Sequence, residues 1–104
     1  MSVASGVKSG RLGTTQTVAY TGSSAAIGNA FGAQTYQIRV VANSACHIKI
    51  GDGAQTATTS DPLLPASIAE YLTVSPGQRI SAIRAATDGL VTATSGTLWV
   101  TELA

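Results

Sequence analysis

The chain has one histidine and one cysteine, and they are neighbours, Cys46 and His47. A thiol beside an imidazole can act as a nucleophile and its base, provided the ring nitrogen comes within hydrogen-bond reach of the sulfur. The stretch that holds them, "ACHIKIG", alternates: Cys46, Ile48 and Ile50 fall on one side, His47 and Lys49 on the other. Successive strand residues point to opposite faces of a sheet. A strand here therefore sends the thiol into the core and the imidazole to solvent, and no dyad is expected. A Ser-His-Asp triad built from a distant serine would have to use His47, because triads are defined in space, but no G-x-S-x-G elbow accompanies it.

The remaining candidates are weighed in the same way. One His and one Cys on opposite faces leave only scattered carboxylates for a metal. The "GDG" at 51–53 resembles a piece of a calcium loop without the further Asp/Asn ligands or the closing Glu, and reads as a turn. "GNAFGA" has glycines but not the spacing that cradles phosphate. Glu70 and Glu102 each stand beside apolar strand residues and read as solvated, or paired with Arg79 or Arg84 across a hairpin. Tyr20, Tyr36, Tyr71 and Trp99 could stack on a sugar, yet three of the four fit core or interface positions. No catalytic, cofactor-binding or metal-binding residue is assigned, no cofactor is expected, and the chain is not read as an enzyme.

The elements that must position these residues are short strands between turn signals. "TTQTVAY" (14–20) is a strand, and the small-residue run after it a loop; within it the two internal glycines of "SSAAIGNAFGAQ", at about 1 kcal/mol each relative to alanine, allow one helical turn at most. "TYQIRVV" alternates, with Tyr36, Ile38 and Val40 on one face and Gln37 and Arg39 on the other. The short link "ANSA" to "ACHIKIG" predicts an antiparallel hairpin. "PLLPA" is bracketed by prolines and reads as irregular. "EYLTV" and "RISAI" flank "SPGQ", where Pro76 presets φ and Gly77 supplies the positive φ of a type II turn, so a second hairpin is predicted. "TDGLVTATSGT" carries Leu90 and Val91 between the turns Asp88-Gly89 and Ser95-Gly96. In the last strand, "TLWVTEL", Leu98 and Val100 share one face while Trp99 and Leu103 share the other. Apolar groups on both faces call for cover by the fold or by another subunit. The pattern predicts an all-β fold, a single β-sandwich or jelly-roll-like domain of about seven to eight short, mainly antiparallel strands over 14–104, after a flexible arm at 1–13.

Composition points to assembly. The chain has 104 residues, enough for one modest core, and its apolar content of 44% is led by alanine. Charged residues make up 11% and the formal net charge is +1, with the bases scattered among the acids. Such a surface has no footprint for nucleic acid and suits a free monomer poorly. Trp99, Leu103 and Tyr71 are the candidate oligomer or partner interface. A lone cysteine points to a reducing compartment, and no run reaches the length of a membrane span. The expectation is a soluble protein made in the cytosol, with no membrane partner.

The ordered set "LPASIAEYLTVSPGQRISAI", followed by "GTLWVTEL", is similar to a pattern in small structural proteins of tailed bacteriophages. It consists of Leu-Pro, Glu-Tyr-hydrophobic, Pro-Gly, a strand, and a terminal Gly-Thr-Leu-x-Val-Thr-Glu. The resemblance covers about 34–104 and carries no catalytic residues. It implies a virion protein of β-sandwich or jelly-roll type that decorates or cements the head, made in the host cytoplasm and contacting the major capsid protein or another virion protein; the low surface charge and the apolar area at Trp99 and Leu103 separately predict a homo-oligomer, a dimer or trimer. The alternative is a tail-tip, fibre or connector-associated module that recognises a glycan or another virion protein.

Overall fold

The computed structural model describes residues 11–86 and 94–103. Eight strands follow in chain order: β1 (Leu12–Tyr20), β2 (Ala25–Ala26), β3 (Gln37–Ala42), β4 (Cys46–Asp52), β5 (Leu63–Leu64), β6 (Glu70–Thr73), β7 (Gln78–Arg84) and β8 (Gly96–Leu103). They form two antiparallel four-stranded sheets: sheet I in the order β1-β8-β3-β6, and sheet II in the order β2-β7-β4-β5. The fold is all-β and consistent with a small β-sandwich, as the spacing of strands and turns predicts. The alternating residues Val18, Tyr20, Ile38, Val40, Leu98 and Val100 of sheet I meet Cys46, Ile48, Ile80 and Ala82 of sheet II in one core. Ile27 and Phe31, from the small-residue run, are buried in it too.

Neither predicted hairpin forms. β3 and β4 lie in different sheets, and so do β6 and β7. At the first link the backbone groups are satisfied by other strands: Asn43 N donates to Thr97 O and Ala85 N donates to Ala45 O. Ala42 and Cys46 then both point inward, 1% and 0% exposed. The link is an arch that carries the chain from one sheet to the other, and Tyr20 clamps it by donating its hydroxyl to the carbonyl of Ser44.

At the second link the turn is as expected but its use is not. Gly77 has φ +85°, and Gln78 N donates to Ser75 O at 3.2 Å, the arrangement of a type II turn. Type I and II turns splay the strands of a two-residue hairpin, whereas the primed types match strand twist. The splay here delivers Val74, just past the end of β6, and Ile80 of β7 to the shared core. β6 takes its register from β3, and β7 from β2 and β4.

Smaller differences follow the same logic. β1 begins at Leu12, two residues before the expected strand, because Leu12 pairs with Leu103 beyond an irregularity between Leu12 and Thr15. "PLLPA" supplies a two-residue strand, β5, against Cys46 and His47. Tyr36 precedes β3, does not join the inward row, and is 61% exposed. Leu90, Val91 and the Asp88-Gly89 turn lie outside the described residues, as does most of the expected arm.

Candidate interaction surface

The two sheets differ in what covers their outer sides. Across sheet II the segment 53–62 runs as a strap from β4 to β5, and Ala57 N reaches Ser24 Oγ beside β2 at 2.8 Å. Ala57 is buried, and Ser81, on the outward side of β7 by alternation, is fully buried. The Ser81 hydroxyl has no hydrogen-bond partner, which costs stability when a polar group leaves water.

Sheet I keeps its outer side uncovered by any described strap. Register places Thr17, Trp99 and Val41 in one row across β1, β8 and β3. The next row is Thr15, Thr101, Arg39 and Tyr71, ending on β6. A third holds Leu103, Gln37 and Thr73. The sequence candidates Trp99, Tyr71 and Leu103 are thus brought onto one face, although Tyr71 and Trp99 come from strands that do not pair with each other. Trp99 is 39% exposed, Tyr71 half-buried and Leu103 already buried within the chain. Leu103 therefore offers a partner little area, and the accessible apolar surface centres on Trp99, with Val41 half-buried beside it.

Arg39 is the one formally charged side chain in these rows, flanked by Thr101 and Tyr71. Alternation within β3 put it on the polar side; only the register of three strands shows that it is set among aromatic and Thr side chains. A guanidinium in such a setting can hydrogen-bond a carboxylate or carbonyl and stack on a ring. Thr15 and Thr101 join their hydroxyls at 3.0 Å across β1 and β8.

The reactive pair is separated as the alternation requires. Cys46 is fully buried, and burial pushes its thiol from 9.0 to about 11, an effect the nearby Tyr20 hydroxyl partly offsets. A thiol in that state is a poor nucleophile at neutral pH. His47 lies on the other face of β4, but it is half-buried rather than free in solvent, with Nδ1 2.7 Å from Asp61 O. A carbonyl only accepts, so Nδ1 carries the proton. Glu102, expected to be solvated or paired with an arginine, turns inward at the end of the sandwich. There its Oε1 accepts from Gly32 N at 3.0 Å and from the Thr35 hydroxyl. Arg79 meets the carbonyl of Gly28 instead. Burial also raises the phenol of Tyr20, with its bonds to Ser44 opposing the shift. Among the described residues no group of three His, Cys, Asp or Glu side chains is placed to hold a metal ion.

No protein family, no curated protein and no solved structure matches the chain.

Proposed function

We propose that the chain is a structural virion protein that decorates or cements a phage head, docking through the outer side of sheet I. One observation carries the reading. Two of the phage-like blocks, "EYLT" and "GTLWVTEL", fall in sheet I on either side of β3, while "RISAI" lies in sheet II, and those two lay Tyr71 and Trp99 on a face that no described segment covers. The partner on that face is the major capsid protein or another virion protein. The function needs no reactive group, in keeping with the separation of Cys46 from His47. Contacts of modest strength suffice, because copies bound across a repeating shell gain from effective concentration.

The test is mass spectrometry and electron microscopy of particles assembled from the genome that encodes the chain. The expected result is many copies at regular positions on the head, with Trp99 turned toward the shell, and loss of attachment on Trp99→Glu in a protein that still folds. A few copies at the tail tip, together with sugar binding to the Trp99 face, would replace this reading with that of a glycan-recognising module. Absence from the particle would remove the virion reading altogether.

A further inference from the structure

Four strands form the edges of the two sheets, and three of them are blunted. β2 and β5 have two residues each, and β5 stands between Pro62 and Pro65. β6 has four residues, begins with Glu70 and is soon followed by Pro76. Short length, charge and proline are the usual devices that stop an edge from pairing with another chain. β1 has none of them: its nine residues, "LGTTQTVAY", contain no charge and no proline, and Thr, Val and Tyr favour extended backbone. Its irregularity lies near its start, between Leu12 and Thr15, and leaves the run from Thr15 to Tyr20 regular.

The open side of that run can be assigned residue by residue. Thr97 directs both backbone groups toward Asn43, its C=O accepting from Asn43 N and its N–H donating to Asn43 Oδ1. It therefore faces β3 and not β1. Backbone groups alternate in direction along an antiparallel strand, so Gly96, Leu98 and Val100 are the residues of β8 that bond β1. Their partners are Tyr20, Val18 and Gln16. The N–H and C=O groups of Thr15, Thr17 and Ala19 consequently point away from the sheet, and all three side chains are exposed.

We infer that this edge pairs with the same edge of a second copy, antiparallel about a two-fold axis at Thr17. That register sets Thr17 against Thr17 and Thr15 against Ala19 of the other copy. Each facing pair exchanges two backbone hydrogen bonds, and a strand run against itself always presents matching donors and acceptors, as an isologous interface requires. The opposed side chains are small, and Thr–Thr pairs are favourable across strands. No charge lies between Leu12 and Tyr20 to repel a second copy or to call for a charged partner. The pairing joins two four-stranded sheets into one, and puts the two Trp99 faces on the same side. The pairing rests on three facing residue pairs, few beside the roughly 20–30 residues a side of stable complexes, so the dimer depends on concentration. It stands whether or not the Trp99 face docks on a capsid.

Sedimentation equilibrium of the full chain, from micromolar to submillimolar concentration, should show a mass rising from 10.4 kDa toward twice that value. Thr17→Lys and Ala19→Lys, each checked for a native circular dichroism spectrum, should remain monomeric across the range, while Trp99→Ala should dimerise as the parent does. Amide exchange supplies a second readout: Thr15, Thr17 and Ala19 should become protected as concentration rises, whereas Gln16, Val18 and Tyr20 are protected throughout. A monomer at all concentrations overturns the inference. So does a dimer that survives both lysine variants, or one that is lost on Trp99→Ala, or exchange without the alternating pattern.

Discussion

Gly77→Val isolates the strain of one backbone angle from everything else at the second arch. A Cβ added at Gly77 meets nothing within 4 Å, so no clash contributes, and the penalty lies in placing a β-branched residue at φ +85°. Residues held in such sparsely populated regions cost about 1–3 kcal/mol. For a domain of this size that corresponds to a fall in melting temperature of roughly 5–20 °C. Gly77→Asn should fall less, because Asn tolerates left-handed backbone. Pro76→Ala should cost about 0.4–1 kcal/mol, acting through the freedom of the unfolded chain. The pairings of β6 with β3 and of β7 with β4 should survive in all three variants, since the turn joins two sheets and sets the register of neither. Thermal melts and cross-strand amide contacts between Ile38 and Leu72, and between His47 and Ile83, read both effects. Gly77→Val as stable as the parent, or less harmful than Pro76→Ala, would refute the strain argument. A slipped register in either sheet would refute the arch.

Gly96→Ala should be destabilised by about 1–3 kcal/mol in chemical denaturation, because its methyl would overlap Asn43 Oδ1, Ser44 Oγ and the Tyr20 hydroxyl, the groups that hold the first arch. The Cys46 thiol should resist alkylation at neutral pH until the protein unfolds. Its pKa is raised on folding, so the stability it contributes is complete below pH 9 and is lost as pH rises through about 11; urea midpoints should fall over that window, and less steeply in Cys46→Ala. His47→Ala should lose about 0.5–1.5 kcal/mol through the bond to Asp61 O that fastens the end of the strap, and an unchanged urea midpoint would mean that the bond adds nothing.

Strand identity was legible in the sequence wherever one face of a strand is buried. The alternation in "ACHIKIG" placed Cys46 and Ile48 inside and His47 and Lys49 outside, because the side-chain period of a strand is a local property. The conformation of the Pro76-Gly77 turn was legible for the same reason: ring closure and the absence of a Cβ act on the backbone of those residues alone. The two faces of "TLWVTEL" were also visible: Leu98 and Val100 lie in the core, and Trp99 lies on the other face, 39% exposed.

Which strands pair was decided only in three dimensions. A three-residue link such as Asn43–Ala45 can close a hairpin or carry the chain to the opposite sheet. The choice depends on distant groups, Tyr20, Thr97 and Ala85, that accept or supply its hydrogen bonds. Tertiary packing likewise gathered Trp99, Arg39 and Tyr71 on one face, since β8 and β6 meet only through β3. It hid Leu103, turned Glu102 inward to Gly32 and Thr35, and left Ser81 buried on the outer side of sheet II. Periodicity assigns a side chain to a face. What stands opposite that face is set by contacts between residues far apart in the chain, and no local pattern encodes them.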